Sequence, residues 1–475
     1  MAEPLWTSEE IVAATGGKLA GKPFAATGVS IDTRTLEPGD IFVALGGVRD
    51  GHEFVEQAMA KGAAGVLASR QVFGSAVMVD DGLKALERLG AAARDRTPKA
   101  RRGAVTGSVG KTSVTQAILA GLRLAGPAHS SVKSYNNHIG VPLTLARMPR
   151  DTRRAVFEIG MNHAEEIRPL TRMVRPHAAV VTTVGPVHVE NFPDGEAGVA
   201  RAKAEVFAGL EVGGVAVLNA DDRWFDLLKD EALKVGAEVR TFGHGEHCDA
   251  RLIDFQGASL GQEGGHAVVQ ARFHGKGLDF PILQTGFHWG MNAMAVLLML
   301  EALDVDLGDG LAALGSFEPL EGRGAERQVR LPAGGAFTLI DESYNANPIS
   351  MASAFATLGA RPAAGRKIVA LTDMLELGDG APAFHAALAE PLAEAKVDLV
   401  FCAGPLMKSL WDALPPTRRG GYAETAADLA PQVVRTAEPG DVVMVKGSNG
   451  SKAGAIAAAL AALDQPSGAR AGEAG

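Results

Sequence analysis

The segment Thr106-Gly107-Ser108-Val109-Gly110-Lys111-Thr112-Ser113 decides the fold of this chain. The apolar residues 104–105 before it predict the end of a strand, and residues 114–119 after it predict a helix. Glycines at such a turn let backbone N–H groups point at a phosphate, and the helix N-terminus adds partial positive charge. Lys111 can neutralise phosphate oxygens, and the Thr112 hydroxyl can bind Mg²⁺. The segment therefore predicts a site for a nucleoside triphosphate.

The phosphate-binding turn departs at one position from the common P-loop pattern. That pattern would place its first glycine at position 105, where this chain has Val105. The departure favours families that use a shorter T-G-x-x-G-K-T loop. An ordinary glycine-rich turn is the alternative, but it does not explain why Lys111 and Thr112 occur together.

The composition sets limits on size, charge and compartment. With 475 residues and 47% hydrophobic content the chain is too long for one core, and about 150 residues per domain predicts three domains. A net charge of −9 argues against a nucleic-acid surface. Two cysteines form no disulfide framework, the N-terminus has no signal-peptide pattern, and no apolar run is long enough to cross a bilayer. We therefore expect a cytoplasmic protein.

The pattern of strands and helices divides the chain into three blocks. Residues 1–100 mix short strands with helices as a small α/β domain and end in the polar, basic run 94–99. Residues 101–318 carry the P-loop and alternate β-rich runs with amphipathic helices, which is typical of a parallel sheet covered on both faces. Residues 319–463 repeat this rhythm as a smaller, Rossmann-like domain, and residues 464–475 form a flexible tail. The predicted fold class is therefore three-domain α/β.

Three polar residues of the second block are candidates for the chemistry. Glu158 ends an apolar run, where a carboxylate could bind Mg²⁺ or could be a solvated edge residue. His188 follows another apolar run, where a neutral imidazole could join a metal site or form a structural hydrogen bond. Lys203 lies on a predicted helix and, by spacing alone, is a surface lysine.

Several segments of the chain resemble those of the Mur ligases, the ATP-dependent amide-forming enzymes of cell-wall synthesis. They are the turn at 106–112, Glu158 before Ile159-Gly160, His188 in Gly185-Pro186-Val187-His188, the pair Ala202-Lys203, Gly286-Phe287-His288 with Asn292, and Gly322-Arg323. The block Asp341-Glu342-Ser343-Tyr344-Asn345-Ala346-Asn347-Pro348 is similar to the D-x-S-Y-N-A-N-P block of the branch that adds a dipeptide. The resemblance extends through nearly the whole chain.

The resemblance implies roles in nucleotide and metal binding. Lys203 would carry a carbamate formed from CO₂, which turns a cation into the carboxylate-like ligand that Mg²⁺ prefers. Thr112, Glu158 and His188 would share the metal, and Lys111 would act with Glu158, His188 and Lys203 in catalysis. His288 and Asn292 would bracket adenine, Asp341 would lie near the ribose, and Arg323 would approach the phosphates. The ATP-binding set is Thr106, Gly107, Ser108, Val109, Gly110, Lys111, Thr112, Ser113, His288, Asn292, Arg323 and Asp341.

The resemblance also implies the substrates. The carboxylate of UDP-N-acetylmuramoyl-tripeptide would take the γ-phosphate of ATP to form an acyl phosphate, which the amine of D-alanyl-D-alanine would then attack. Block 1–100 would hold the nucleotide sugar, 101–318 the ATP and 319–463 the incoming dipeptide. The substrate-binding set is Ser30, Asp32, Thr33, Arg34, Asp50, Asn136, Asn137, Tyr344, Asn345, Asn347, Lys446 and Ser448. We expect a monomer.

A second branch of the family is the alternative. It adds a diamino acid to UDP-N-acetylmuramoyl-dipeptide and usually carries an Asp-Asn-Pro-Arg-like motif, which this chain does not show. A P-loop ATPase or kinase outside the family would not need Lys203 or a third domain.

Three other features predict structure rather than chemistry. The cluster His244-Gly245-Glu246-His247-Cys248 lacks the fourth ligand that zinc would need. The pair Asp221-Asp222 is interpreted as a helix N-cap, with the nucleotide pocket as the alternative. Trp289 is predicted to pack beside adenine.

Overall fold

The computed structural model describes residues 3–47, 49–132, 134–257 and 266–464. The predicted tail therefore lies outside the described residues, apart from Asp464. The predicted fold class is confirmed, since the chain forms three large mixed or parallel sheets with helices packed against them. No helix in the described ranges is long and apolar enough to cross a membrane.

The first part of the chain forms a five-stranded sheet and a two-stranded ribbon. The strands are β1 (Trp6–Thr7), β2 (Lys18–Ala20), β3 (Ala25–Ala26), β4 (Gly28–Ser30), β5 (Asp40–Val43), β6 (Gly65–Ala68) and β7 (Ala76–Met78), and the helices are α1 (Ser8–Thr15), α2 (Val55–Ala60) and α3 (Gly82–Asp95). The sheet order is β2-β7-β6-β5-β4, with only β2 antiparallel to its neighbour, and β1 pairs with β3. The Asp81 side chain caps α3 by accepting the N–H groups of Leu83 and Lys84.

The second part forms a nine-stranded sheet. Its strands are β8 (Arg101–Thr106), β9 (Ala128–Ser130), β10 (Arg154–Glu158), β11 (Ala178–Val181), β12 (Val215–Asn219), β13 (Glu238–Gly243), β14 (Ala250–Gln256), β15 (Ala267–Phe273) and β16 (Lys276–Ile282). Its helices are α4 (Lys111–Leu124), α5 (Gly140–Ala146), α6 (Ile167–Val174), α7 (Glu196–Ala204), α8 (Phe225–Lys234), α9 (His288–Ala302) and α10 (Leu307–Ser316). The order is β16-β15-β14-β13-β12-β11-β8-β10-β9, and the pairs β14–β15 and β15–β16 are antiparallel.

Strand β8 lies inside this sheet and is covered on both faces. Val105 packs in a core with residues of α4 and α9, whereas its neighbour Ala104 packs in a second core with Phe157 and Ile167. Alternate side chains of a strand point to opposite faces, so an uninterrupted apolar run suits this position. The turn that follows β8 therefore emerges at the carboxyl edge of a rigid sheet.

The third part forms a six-stranded sheet. Its strands are β17 (Ala325–Arg330), β18 (Ala336–Glu342), β19 (Lys367–Thr372), β20 (Leu399–Ala403), β21 (Arg419–Ala423) and β22 (Val442–Lys446), and its helices are α11 (Pro348–Ala360), α12 (Ala381–Ala386), α13 (Ala389–Glu394), α14 (Met407–Ala413), α15 (Ala426–Thr436) and α16 (Gly454–Ala461). The order is β17-β18-β22-β19-β20-β21, with only β17 antiparallel to its neighbour. Met444 and Val443 face separate apolar cores, one on each side of the sheet.

The basic run at 94–99 joins the first two sheets. The Arg96 guanidinium lies 4.0 Å from the centre of the Trp6 ring. It also donates hydrogen bonds to the carbonyl oxygens of Leu5 at 2.7 Å and Met148 at 2.9 Å. The end of the first block is therefore a packed junction.

Candidate active site

A cleft of about 420 Å³ lies where the carboxyl ends of the second and third sheets face each other. Ligands of open α/β sheets bind at this edge. Its lining includes many of the predicted site residues: Ser108, Val109, Gly110, Lys111, Thr112, Ser113, Asn136, Glu158, His188, His288, Asn292, Arg323, Tyr344, Asn345, Asn347 and Lys446. The fold therefore brings residues separated by more than 300 positions into one site.

The phosphate-binding turn depends on its two glycines. Gly107 has φ +147° and Gly110 has φ +85°, which side chains rarely allow. A Cβ at Gly107 would lie 1.9 Å from Thr182 Oγ1, which donates a hydrogen bond to the Val109 carbonyl at 2.5 Å. Within the described chain no side chain caps α4, so the N–H groups of its first turn remain available to an anion.

Lys111 lies over this turn. Its Nζ donates a hydrogen bond to the Gly107 carbonyl at 2.7 Å. Burial lowers the pKa of the Lys111 ammonium, the carboxylate of Glu158 raises it, and the charge of Arg323 lowers it. The net effect lowers the pKa of Lys111 below its usual value. The surroundings of this ammonium therefore favour a nearby anion such as phosphate.

Glu158 presents an unused oxygen. The residue is 1% exposed, and its Oε1 accepts a hydrogen bond from Asn136 Nδ2 at 2.6 Å. Its Oε2 is buried and has no hydrogen-bond partner among the residues described. A buried carboxylate oxygen without a partner is costly unless a cation binds it. Asn137 lies alongside but serves the backbone, because its Oδ1 accepts the N–H groups of Ile139 and Gly140.

Ser134 connects the two sides of the cleft. Its hydroxyl lies 3.0 Å from the hydroxyl of Thr112, and it accepts hydrogen bonds from Tyr344 at 3.2 Å and Arg323 at 3.4 Å. The Arg323 guanidinium stacks 4.0 Å above the Tyr344 ring. Ser134 carried no signal in the sequence, since its partners come from three distant segments.

Lys203 is buried, contrary to the surface position that its spacing alone predicted. The residue is 3% exposed and does not line the cleft, and its side chain makes no hydrogen bond or ion pair within the described ranges. Burial lowers the pKa of its amine well below the usual value, and the positive charge of Lys111 lowers it further. A lowered pKa makes the amine easier to deprotonate, and the deprotonated amine is the form that reacts with CO₂, so the chemistry of the residue fits the implied carbamate.

His188 follows β11 on a loop that Asp222 holds in place. The Asp222 carboxylate accepts hydrogen bonds from the Val184 N–H at 2.7 Å and the Thr183 hydroxyl at 3.1 Å. His188 itself has φ +59°, and its Nδ1 lies 3.1 Å from a carboxylate oxygen of Glu376 in the third part of the chain. No feature of the sequence pointed to Glu376 as the partner of His188.

The N-cap interpretation of Asp221 and Asp222 is wrong. Helix α8 begins at Phe225 with Trp224 as its N-cap and without a side-chain capping bond. Asp221 instead lies 2.6 Å from Nδ1 of His244. In the described residues no group of three or more His, Cys, Asp or Glu side chains is arranged to hold a metal ion, and this cluster is no exception.

The segment around His288 offers a second unused polar group. His288 and Asn292 lie one turn apart on α9 and both line the cleft. The Nδ2 of Asn292 is buried without a hydrogen-bond partner in the part of the chain that the structure describes. Trp289 is 3% exposed and lies 5.6 Å from the Phe317 ring, which confirms its predicted packing role.

Strand β18 sends its two acidic residues to different cavities. Glu342 lines the cleft, and its Oε2 accepts a hydrogen bond from Lys446 Nζ at 3.2 Å. Asp341 lies outside the cleft and lines a neighbouring cavity of about 1030 Å³ on the other side of Arg323. The acidic side chain of β18 at the cleft is therefore Glu342, and the ribose contact of Asp341 stays a prediction.

The predicted substrate residues of the third part bond mainly to other residues of the same part. Lys446 is 2% exposed and donates a second hydrogen bond to the Asn345 carbonyl at 3.0 Å. Ser448 donates to the Ala346 carbonyl at 3.4 Å, and the Asn347 side chain caps α11. Lys446, Asn345 and Asn347 line the cleft, whereas Ser448 does not.

The predicted substrate residues of the first part lie away from the cleft. They are Ser30, Asp32, Thr33, Arg34 and Asp50, and none lines it. Asp32 forms a 2.6 Å ion pair with the largely exposed Arg34, and that hydrogen bond lowers the pKa of the Asp32 carboxyl. Asp50 lies 2.6 Å from Nδ1 of His52 and 2.7 Å from Arg70.

Comparison with known proteins shows that most of the chain is similar to Mur ligases. A family model described as Mur ligase middle domain matches residues 105–300, and one described as Mur ligase, glutamate ligase domain matches residues 327–449. UDP-N-acetylmuramoyl-tripeptide--D-alanyl-D-alanine ligase of Bacillus subtilis is 34% identical, covering 94% of this chain and 96% of the relative. The enzyme of the same name from Escherichia coli is 32% identical, covering 90% of this chain and 91% of the relative. A crystal structure of MurF from Acinetobacter baumannii superimposes with a TM-score of 0.83 at 27% identity, covering 96% and 99%.

Proposed function

The chain belongs to the Mur ligase family, and from this premise we propose that it joins D-alanyl-D-alanine to UDP-N-acetylmuramoyl-tripeptide at the expense of ATP. Relatives bearing that name cover more than nine tenths of the chain. The observation that carries the proposal is the arrangement of the cleft. A phosphate-binding turn faces the unused oxygen of Glu158, the buried Lys203 is electrostatically coupled to Lys111, and the D-E-S-Y-N-A-N-P segment forms the opposite wall.

The residues of the cleft support a reaction in two stages. Lys111 and the N-terminus of α4 hold the phosphates of ATP while the tripeptide carboxylate attacks the γ-phosphorus, which gives an acyl phosphate and ADP. The amine of D-alanyl-D-alanine then attacks the acyl carbon, and phosphate leaves. Arg323 lies where it can neutralise charge on the transferred group. The walls from the second and third sheets limit access of water to the acyl phosphate.

We propose that Mg²⁺ is held by Thr112, Glu158, His188 and a carbamate on Lys203. The free Oε2 of Glu158 and the oxygens of a carbamate on Lys203 suit a hard cation with oxygen ligands. When bound, the ion would supply positive charge to the phosphoryl oxygens.

The domain assignment is part of the same proposal. The three large sheets use strands from residues 18–78, 101–282 and 325–446, so each is built from one continuous part of the chain. We assign residues 1–100 to the nucleotide sugar, 101–318 to ATP and 319–463 to the dipeptide. We also infer a cytoplasmic monomer, in keeping with two cysteines that are free and buried.

Phosphate release from ATP tests the proposed activity. We expect release only when UDP-N-acetylmuramoyl-tripeptide and D-alanyl-D-alanine are both present, with the pentapeptide detected by mass spectrometry. Release with a diamino acid and the dipeptide acceptor would assign the chain to the other branch. Release with neither acceptor would indicate a simple ATPase. Parallel reactions with meso-diaminopimelate and lysine in the tripeptide would identify its third residue.

A further inference from the structure

A loop of the third domain reaches the candidate metal site. The loop follows β19, and a carboxylate oxygen of Glu376 lies 3.1 Å from Nδ1 of His188. Both residues line the cleft. Both also have left-handed backbones, with φ +59° for His188 and +64° for Glu376. Residues other than glycine rarely adopt this conformation, so surrounding structure holds both side chains in a specific place.

A second contact fixes the same two loops against each other. Gly378 has φ +61°, and a Cβ at this position would lie 3.0 Å from Cβ of Glu190. The backbone of the third domain therefore approaches closely two residues beyond His188. We call residues 188–190 and 376–378 the clasp.

Stability alone does not account for the ion pair in the clasp. The Glu376 side chain is 60% exposed, and exposed ion pairs contribute little to stability. A carboxylate that accepts the Nδ1–H of a histidine does fix the ring and its tautomer, which leaves Nε2 free to bind a metal. This arrangement recurs around metal-binding histidines.

We propose that Glu376 is a positioning residue for His188, and that docking of the third domain orients this metal ligand. The proposal rests on the proposed function, because it takes His188 to be a ligand of Mg²⁺. Glu376 belongs to the third part of the chain, whereas Thr112, Glu158 and Lys203 belong to the second part. Metal binding and domain docking are therefore coupled through this 3.1 Å contact between Glu376 and His188.

The Mg²⁺ dependence of phosphate release tests the positioning role. Glu376→Ala should raise the Mg²⁺ concentration for half-maximal activity about tenfold or more, as is usual when the partner of a metal-binding histidine is lost. Glu376→Gln keeps an acceptor oxygen and should recover part of this loss. Asp379→Ala is the matched control, since Asp379 is an exposed acid of the same loop with no hydrogen bond found among the described residues. An unchanged Mg²⁺ requirement in Glu376→Ala would overturn the proposal.

A measurement without metal or nucleotide separates this proposal from the proposed function. Long-range ¹H–¹⁵N spectra of histidine-labelled full-length protein report the tautomer of each ring, and His188→Gln assigns the signal. We expect the Nδ1–H tautomer in the wild type and in Asp379→Ala, and its loss in Glu376→Ala. The same tautomer in all three proteins would contradict the proposal. A tautomer change in a protein that releases no phosphate would refute the proposed function and keep the Glu376–His188 contact.

Discussion

The two walls of the cleft differ in how far they satisfy their own polar groups. On the wall from the second sheet, Glu158 Oε2 and Asn292 Nδ2 are buried without partners within the described residues. Lys203, which does not line the cleft but is electrostatically coupled to Lys111, has no counter-charge there. On the wall from the third sheet, Lys446 and Asn347 are equally buried but bonded to neighbours. Buried polar groups are normally paired. The unpaired groups on the second-sheet wall therefore indicate ligand binding, and the paired groups on the third-sheet wall indicate a structural role.

This difference predicts opposite effects of mutation on the two walls. Variants of the second-sheet wall should lose activity while the free energy of unfolding stays nearly constant or rises, because they remove a buried polar group that has no hydrogen-bond partner among the described residues. Variants of the third-sheet wall should lose stability, because they break bonds already made.

The largest effect is expected for Lys203→Met. Loss of the metal ligand proposed for this position should lower the rate of phosphate release on the order of a thousandfold, which corresponds to about 4 kcal/mol of transition-state stabilisation. The free energy of unfolding, measured by urea in CO₂-depleted buffer without Mg²⁺, should be unchanged or higher because a buried amine is removed. Lys229→Met, an exposed position on the adjacent α8, is the control. A large loss of stability in Lys203→Met would show that its amine already has a partner.

The next effect is expected for Glu158→Gln. The amide keeps an oxygen for the hydrogen bond from Asn136 but removes the charge, so we expect about a hundredfold loss of phosphate release. The unfolding free energy should change by less than about 1 kcal/mol, because relief of the unpaired Oε2 offsets the lost attraction between Glu158 and Lys111. Excess Mg²⁺ should recover part of the activity. Equal activity of the variant and the wild type would remove Glu158 from the metal site.

The sequence predicted the first wall better than the contacts that complete it. The phosphate-binding turn and Glu158 are local features of the sequence. The role of a glycine at a turn, or of a carboxylate after a strand, can be predicted from the few residues around it. Lys203 needed the family resemblance, since the helical spacing by itself indicated an exposed residue. Ser134 and Glu376 acquire their partners only through the tertiary fold.

Strand alternation explains the choice between Asp341 and Glu342. The two are neighbours on β18, so their side chains point to opposite faces, and only the fold determines which face meets the cleft. The capping prediction for Asp222 was wrong for a similar reason. Its carboxylate holds the N–H of Val184, which is distant in the sequence and close in space.

On the third-sheet wall, Lys446→Met should lower stability by about 2–3 kcal/mol. The variant leaves the partly buried Glu342 without its cation and the Asn345 carbonyl without a donor. Breaking a fully buried pair costs about 3–5 kcal/mol, and the partial exposure of Glu342 reduces that figure. Urea unfolding measures the change. The double variant Lys446→Met with Glu342→Gln should recover part of it, and no recovery would mean that the two side chains do not interact.

The smallest effect is expected for Asn347→Ala. The Asn347 side chain accepts the Ser350 N–H at 2.9 Å, and the Ser350 hydroxyl accepts the Asn347 N–H at 3.0 Å, so the pair caps α11. Loss of such a cap costs about 1 kcal/mol, and Asn347→Ser should restore it because serine caps equally well. Thermal unfolding measures both variants.

Asn347 also tests whether the third-sheet wall has only a structural role, because this residue lines the cleft and was predicted to bind substrate. If the wall only provides shape, Asn347→Ser should match the wild type in both stability and the KM for D-alanyl-D-alanine. If Asn347 contacts the dipeptide, Asn347→Ser should keep its stability and still show a raised KM, since serine is too short to reach the same atoms. That result would show that the third-sheet wall also contacts the substrate, so the two walls would differ only in degree.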